Sequence, residues 1–174
     1  FPINKAGFII HSAIHQARPK DLHCVMHSHE VNSQTLAASK SKLIPLTQEG
    51  CQLYERVGYH EFNGIVLNDE EKEKLINAIG NEKHTLLMRN HGLITAGPTA
   101  AWAFIRHQHF IRNAEVQLKL MASNAEMSII SDNILKHTRE QFEGGSAQAG
   151  AKVRHPEWPA FWRLLDTLDE KWKH

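Results

Sequence analysis

Three of the thirteen histidines occupy positions from which their imidazoles could hold a metal ion. His27 and His29 are two residues apart in segment 22–29, whose alternating pattern predicts a buried strand. Because alternate side chains of a strand project from the same face, both imidazoles can reach one ion. His91 lies in the turn Asn90-His91-Gly92, where glycine permits a sharp bend. Three nitrogen ligands with one open position are typical of a catalytic zinc site, which would polarise a substrate oxygen.

The same residues also have a simpler interpretation, in which the histidines are structural and the chain binds no ion. A His-x-His pair arises easily by chance in a histidine-rich chain. The pair alone therefore does not establish a metal site, and the position of His91 beside it is an inference from the expected folding of the strands.

Two further residues could move protons beside such a site, and we name them as candidate catalytic residues. Glu30 follows the histidine pair directly, although strand alternation would turn its carboxylate to the opposite face. Tyr59 lies in the irregular polar segment 47–62, the kind of segment in which functional residues often occur. The alternative for Tyr59 is that it packs and hydrogen-bonds there without a chemical role.

The elements that must position these residues alternate between helix and strand. Helical periodicity predicts helices over 5–18, 30–40, 68–80, 97–123 and 131–142, and a final amphipathic helix from residue 155 onward. Alternating or short apolar runs predict strands over 22–29, 43–46, 64–67, 84–89 and 93–96. Strands that alternate with helices in this way indicate a layered α/β domain with a helical C-terminus.

Composition restricts the classes of function. The chain has 174 residues, a net charge of +1, 22% charged residues and 41% hydrophobic residues, which is typical of a folded globular domain. Basic and acidic residues are interleaved, so we expect no nucleic-acid partner, and no apolar run predicts a membrane span. With only Cys24 and Cys51, a disulfide framework is excluded, and we expect a reduced, cytoplasmic location.

The chain is expected to divide into three parts. Residues 1–143 form the main domain, the Gly/Ala/Ser-rich residues 144–151 form a flexible linker, and residues 152–174 form a helical tail. Because the chain opens at Phe1 and enters a helix almost at once, we expect it to begin inside a larger fold. The apolar tail would leave an exposed patch on a monomer, which favours a homo-oligomer.

Four segments together resemble successive motifs of the class II aldolase/adducin family. They are 7–15 (GFIIHSAIH), 17–19 (ARP), 25–29 (VMHSH) and 87–93 (LMRNHGL). Their order and the interval between His29 and His91 also fit that family, over residues 5–125. Segment 58–65 (GYHEFNGI) and the tryptophan-rich tail are most similar to its adducin-like bacterial members.

The resemblance implies a fold, a metal and a reaction. The fold would be a three-layer α/β/α sandwich around a largely antiparallel mixed sheet, usually assembled as a tetramer with the metal site near a subunit interface. Residues matching His27, His29 and His91 would hold a divalent ion, zinc in the first instance. The chain would act as an aldehyde lyase or epimerase on a small carbonyl, hydroxy-acid or sugar-type substrate, through a metal-stabilised enediolate.

The sequence departs from the family pattern at two places. The position of the catalytic acid of the aldolases falls on Gly7, which has no side chain to move a proton. The phosphate-binding loops of the aldolases match sequence upstream of Phe1, so these residues do not support a phosphorylated substrate. Both departures keep open an alternative, a non-catalytic adducin-like binding or assembly module that retains the fold and the metal site.

Overall fold

A computed structural model describes residues 2–65, 69–148 and 155–168. These residues form one mixed sheet of four strands with helices packed on both of its faces. In chain order the elements are α1 (Lys5–Ala17), β1 (Cys24–Ser28), α2 (Val31–Ala38), a short 3₁₀ helix (Glu49–Leu53), β2 (Val57–His60), α3 (Asp69–Ile79), β3 (Thr85–Met88), β4 (Gly92–Gly97), α4 (Ala100–Ser123), α5 (Asp132–Gln148) and α6 (Trp158–Leu168).

The sheet has the strand order β1-β4-β3-β2. β4 lies antiparallel to both β1 and β3, whereas β2 lies parallel to β3. The tight turn between β3 and β4 fixes their antiparallel pairing, and β2 reaches its parallel position through α3. The expected layered α/β/α fold with a largely antiparallel mixed sheet is confirmed.

Two hydrophobic cores cover the two faces of the sheet. Neighbouring strand residues divide between them, as strand alternation requires: Leu86 and Ile94 face α1 and α3, whereas Leu87 and Leu93 face α2 and α4. Ile14 from α1 and Phe110 from α4 are each fully buried in their own core. A residue's face of the sheet therefore decides which helices it can contact.

The helix boundaries follow local sequence signals. The Asn4 side chain accepts a hydrogen bond from the Gly7 N–H (3.1 Å) at the start of α1. The Thr99 side chain caps α4, and the left-handed Asn124 (φ 54°) ends it. Gly80 (φ 54°) follows α3 in the same left-handed conformation. These four signals are visible in the sequence, and the corresponding helices lie where it predicts them.

One predicted strand does not form, and a second lies partly outside the described residues. Residues 43–46 run beside α4 in extended form without a strand partner, because the side chains of Asn113 and Gln117 take their backbone hydrogen bonds instead. Gln117 Oε1 accepts from the Ile44 N–H at 2.8 Å, and Asn113 Oδ1 accepts from the Leu46 N–H at 2.9 Å. The other predicted strand covers 64–67. Residues 64 and 65 form a bend, and residues 66–68 lie outside the described part. The strand β2, which the sequence does not predict, lies earlier in the chain.

The C-terminal part also differs from the expectation. α5 continues to Gln148, so the first five residues of the predicted linker 144–151 are helical, while residues 149–151 lie outside the described part. α6 forms within the predicted tail 152–174, of which residues 155–168 are described. None of the helices in the described ranges is long and apolar enough to cross a bilayer.

Candidate metal centre

His27 lies on β1 opposite Ile94 of β4, on the face of the sheet that α1 and α3 cover. Its Nδ1 is 3.0 Å from the carbonyl oxygen of Leu93. A carbonyl oxygen only accepts hydrogen bonds, so Nδ1 must carry the proton and donate it. The Nε2 atom of His27 therefore presents a lone pair, the form in which imidazole binds a metal.

His29 and His91 reach the same point from two different connections. His29 follows the last residue of β1, and His91 lies in the turn between β3 and β4. This turn begins with the left-handed Asn90 (φ 55°), whose N–H donates to the Ala37 carbonyl (3.2 Å). The Gln34 side-chain amide donates to the His91 carbonyl (3.1 Å). These two hydrogen bonds, to Ala37 and from Gln34, attach the turn to α2.

The three imidazoles converge. His27 Nε2 and His29 Nε2 are 3.1 Å apart, and the possible ligand atoms of all three residues lie within 4.8 Å of one another. Each pair of ring centroids is separated by 4.9 Å. Nitrogen ligands about 2.0–2.1 Å from a tetrahedral zinc ion would lie roughly 3.4 Å apart, so the residues present fit a divalent ion of this size.

The environment favours the neutral form of His27 and His91. Burial lowers the pKa of His27 to about 4, and the neighbouring His91 and His29 oppose a positive charge there as well. Burial, followed by the effect of His29, also lowers the pKa of His91. A neutral imidazole is the metal-binding form, so at neutral pH neither residue must lose a proton before it binds an ion.

Gly92 permits the close approach of the three histidines. A Cβ atom at this position would lie 2.4 Å from the Ser28 carbonyl oxygen, 2.9 Å from His29 Cδ2 and 3.3 Å from His27 Cε1. The first of these contacts is with backbone, which cannot move aside without shifting β1. A glycine after His91 is therefore a steric requirement of this cluster.

A buried chain of hydrogen bonds supports the strand between the two ligands. Thr95 Oγ1 donates to the Ala103 carbonyl (2.8 Å) and so accepts from His107 Nδ1 (3.0 Å). His107 Nε2 is then free to accept from the Ser28 hydroxyl at 2.6 Å. Both Thr95 and His107 are fully buried. This chain ties the residue between His27 and His29 to α4 on the other side of the sheet.

A cavity of about 270 Å³ opens beside the cluster, and all three histidines line it. Its other walls are largely apolar and come from the start of α1 and from segment 62–65, including Ile10 and Phe62. Gly7 also lines this cavity, so the position where the family would place its acid does face the histidines. Among the described lining residues there is no carboxylate, lysine or tyrosine.

The structure gives Glu30 a role other than the catalytic one expected. Its carboxylate caps α2 by accepting hydrogen bonds from the Asn32 N–H (3.0 Å) and the Ser33 N–H (2.9 Å). The Asn32 side-chain amide donates to it as well, at 3.0 Å. Glu30 is not among the residues that line the histidine cavity. The expectation is corrected: Glu30 lies beyond the end of β1, and its carboxylate is taken up by the start of α2.

Tyr59 likewise lies apart from the histidine cluster. It pairs with Leu87 on the face that α2 and α4 cover, opposite to the face of His27. Its hydroxyl accepts from the Leu43 N–H (3.0 Å), and Arg89 lies over its ring at 5.0 Å. Burial raises the pKa of Tyr59, so the phenol stays protonated. In place of the expected catalytic role, the structure gives Tyr59 a structural one: its hydroxyl hydrogen-bonds to segment 43–46.

The structure adds a buried pair that the sequence analysis did not single out. His60 Nε2 lies 3.2 Å from Glu71 Oε2, both side chains are buried, and Lys74 Nζ contacts the other carboxylate oxygen at 2.6 Å. His60 and His91 line one narrow crevice. Burial lowers the pKa of His60, although Glu71 favours its charged form. The residues come from β2 and α3, and no local pattern signals their contact.

Comparison with known proteins identifies a family and several relatives that are similar to this chain. Residues 2–118 match the family model described as the class II aldolase and adducin N-terminal domain. A Caulobacter vibrioides protein named "Putative aldolase class 2 protein" is 37% identical over 94% of this chain and 62% of its own length. Alpha-adducin of Rattus norvegicus is 31% identical over 95% of this chain and 23% of its own length.

A solved structure is also similar to this chain. The L-fuculose 1-phosphate aldolase of Glaciozyma antarctica superposes with a TM-score of 0.74 at 27% identity, covering 93% of this chain and 60% of that protein. The chain thus spans about three-fifths of the length of this aldolase and of the bacterial relative.

Proposed function

Because the chain belongs to the class II aldolase and adducin family, we propose that His27, His29 and His91 hold a divalent metal ion, zinc in the first instance. The proposed activity is that of an aldehyde lyase acting on a small carbonyl, hydroxy-acid or sugar-type substrate. The observation that carries the proposal is the convergence of three imidazoles, two of whose Nε2 atoms are 3.1 Å apart, beside a cavity.

The bound ion would act as a Lewis acid that stabilises negative charge developing on a substrate oxygen. The chain contributes the geometry for this chemistry. His27 is fixed by its hydrogen bond to Leu93, and the largely apolar cavity walls would lower the polarity around the reacting group, which strengthens charge interactions there.

The size and lining of the cavity favour a small substrate without a phosphate group. A volume of about 270 Å³ is below the range of roughly 300–1,000 Å³ that holds drug-sized ligands. No lysine or arginine is among the described lining residues, so apart from the proposed metal ion a phosphate would find no positively charged group there. The aldolase of Glaciozyma antarctica is named for a sugar phosphate; for this chain we propose an unphosphorylated substrate.

We propose that the protein works as a homo-oligomer, with a tetramer as the expected form. Members of this family often form oligomers. Phe62 and Ile65 at the edge of the cavity are 53% and 74% exposed, and α6 exposes Leu164 and Leu168. A neighbouring copy would cover such apolar side chains. Light scattering that shows a monomer at micromolar concentration would contradict this part of the proposal.

A second candidate function rests on one specific observation. Gly7 faces the cavity where the family acid would stand, and no other carboxylate lines the described walls. The chain would then be an adducin-like binding or assembly module that keeps the metal site without turnover. The similarity to alpha-adducin favours this alternative, and the similarity to L-fuculose 1-phosphate aldolase favours the enzyme.

A substrate screen separates the two. Purified protein loaded with zinc or manganese is incubated with small hydroxy-carbonyl compounds, and aldehyde release is followed with a coupled dehydrogenase. The enzyme proposal expects metal-dependent release that disappears in His91→Ala. Turnover retained in His91→Ala would contradict catalysis at this metal site. The absence of turnover from a fully metal-loaded protein for every substrate class would favour the module.

A further inference from the structure

A second and larger cavity lies at the opposite end of the sheet from the histidine cluster. It has a volume of about 760 Å³ and is bordered by the connections that precede β1 and β3 and by the one that follows β4. Three arginines, Arg18, Arg56 and Arg106, line it together with the buried His84. The proposed reaction uses none of these residues.

Two of the three arginines already have carboxylate partners. Arg18 forms an ion pair with Asp21 and donates to the Lys83 carbonyl at 2.6 Å. Arg56 lies 3.0 Å from Glu143 and 3.5 Å from Glu82. Their charges are largely balanced by these partners, so they form a polar wall and not a strongly positive patch.

Arg106 differs from both. Its guanidinium donates to the Ala96 carbonyl at 2.5 Å and lies 5.0 Å from the centre of the Trp102 ring. No carboxylate lies within ion-pair distance of it in the parts of the chain that the structure describes. A guanidinium has five N–H donors, and a single carbonyl leaves most of them available.

The surroundings of Arg106 disfavour the positive charge of its guanidinium. Burial, together with the positive charge of Arg18 and against the opposing effect of Glu143, lowers the pKa of Arg106 to about 10. A guanidinium that is shielded from water and lies near another cation is stabilised strongly when an anion comes into contact with it. The cavity provides the space in which such an anion could lie.

We propose that this cavity binds a small organic molecule through its carboxylate or phosphate group, with Arg106 as the main contact. The planar guanidinium matches the oxygens of either group in a two-point hydrogen-bonded contact. Thr99 at the start of α4 lines the same cavity, so the N-terminal end of that helix adds a favourable potential for an anion. His84 adds a polar group without charge, because burial keeps its pKa well below the usual value.

The remaining lining residues limit the charge of the ligand. Asp21, Glu82 and Glu143 lie in the same walls as Lys20 and the three arginines, so the charges of the lining nearly balance and a polyanion would be disfavoured. This arrangement favours a ligand with one or two negative charges and disfavours nucleic acid. The volume exceeds that of a bare phosphate, so an organic acid or a phosphate monoester fits it best.

Calorimetric titration at constant ionic strength tests the proposal on wild-type protein treated with a chelator, so that an ion at the histidine cluster cannot account for the heat. The probes are inorganic phosphate, glycerol 2-phosphate and succinate, and chloride is the reference anion. We expect at least one probe to bind, and to bind at least about tenfold more weakly to Arg106→Gln. Arg112→Gln, which removes an exposed arginine from the same helix, should bind like the wild type.

A second variant does not depend on the stability of the Arg106 variant. Glu82 is 77% exposed in its side chain and lies in the cavity wall, so Glu82→Gln removes a repelling charge at little structural cost. It should bind the same probe more tightly than the wild type. A preference for glycerol 2-phosphate or for succinate would identify the ligand class. The proposal is overturned if no probe binds better than chloride, or if Arg106→Gln binds like the wild type.

Discussion

The hydroxyl of Ser28 and the Nε2 atom of His107 are 2.6 Å apart, although the two residues are 79 positions apart in sequence. Ser28 lies between the two proposed ligands His27 and His29, and His107 lies on the buried side of α4. Because Thr95 fixes the proton of His107 on Nδ1, the serine must donate and its side chain has one orientation. These hydrogen bonds thus attach the end of β1, next to the proposed ligands, to α4 on the opposite face of the sheet.

Ser28→Ala is expected to weaken zinc binding without removing a ligand. Loss of the hydroxyl frees the end of β1 and leaves His107 Nε2 buried without its donor. Substitutions that remove the support of metal ligands typically cost about 10–100-fold in affinity, and we expect about tenfold here. Competition for zinc with a coloured chelator measures this affinity. Ser123→Ala, at the exposed end of α4, is the matched control; equal affinity in all three proteins would show that this contact does not position the ligands.

Gly92→Ala is expected to damage both stability and metal binding. The added Cβ would lie 2.4 Å from the Ser28 carbonyl oxygen, so β1 and the turn must separate. Overpacking of this kind costs about 1–3 kcal/mol in the free energy of unfolding, which urea titration measures. Gly144→Ala is the control, because nothing lies within 4 Å of the corresponding Cβ and alanine favours its helix. A Gly92→Ala protein as stable as the wild type would contradict the proposed steric requirement.

The free energy of unfolding of the metal-free protein should fall as the pH falls from 6.5 to 4. Burial lowers the pKa of His107 from 6.5 to about 4, so in this window the unfolded chain binds a proton that the folded chain does not. The contribution is complete above pH 6.5 and is lost on approach to pH 4. A shift of this size corresponds to about 3 kcal/mol.

His107→Gln isolates that contribution from those of the other groups that titrate in the same range. Urea unfolding at pH 7 and at pH 4.5, in the presence of a chelator, should show a smaller loss of stability on acidification for His107→Gln than for the wild type. The absolute stability of the variant at pH 7 does not enter this comparison. Equal losses in the two proteins would mean that His107 does not carry the proton linkage.

Gly7→Glu is expected to fold and to gain proton-transfer activity. A Cβ at this position meets only the Asn4 side chain, at 3.8 Å, and glutamate three residues after that cap favours the helix by about 0.5–1 kcal/mol. Its carboxylate would enter the cavity beside the histidines. Metal-dependent deuterium exchange next to the carbonyl of a small hydroxyketone should rise about tenfold or more.

Gly7→Gln, which has the same shape without the charge, is the control for this gain and should exchange like the wild type. No increase in a fully metal-loaded Gly7→Glu protein would show that the missing carboxylate is not what limits the chemistry of this cavity.

The parts of the fold that follow from local sequence were predictable. The Asn90-His91-Gly92 turn and the Thr99 cap depend on residues within a few positions of each other, and they form where the pattern places them. The His-x-His pair lies at the end of a predicted strand: His27 is on β1, His29 directly follows it, and their ring centroids are 4.9 Å apart. Each of these features is determined by residues within one short segment of the sequence.

The features that depend on distant partners were not predictable. Segment 43–46 has strand-like residues, yet Asn113 and Gln117 supply its hydrogen bonds from α4. β2 was missed because Val57–His60 is short and gains its strand character by pairing with the buried β3. In each case tertiary contacts override the local preference.

Metal analysis of the purified chain tests the central proposal most directly. Plasma mass spectrometry measures the metal content of the wild type and of a His27→Ala/His29→Ala double variant after the same exposure to zinc and the same desalting, with circular dichroism to confirm that both are folded. The proposal predicts about one ion per chain in the wild type and none in the variant. A wild type that retains no ion, or a folded double variant that retains one ion per chain, would contradict it.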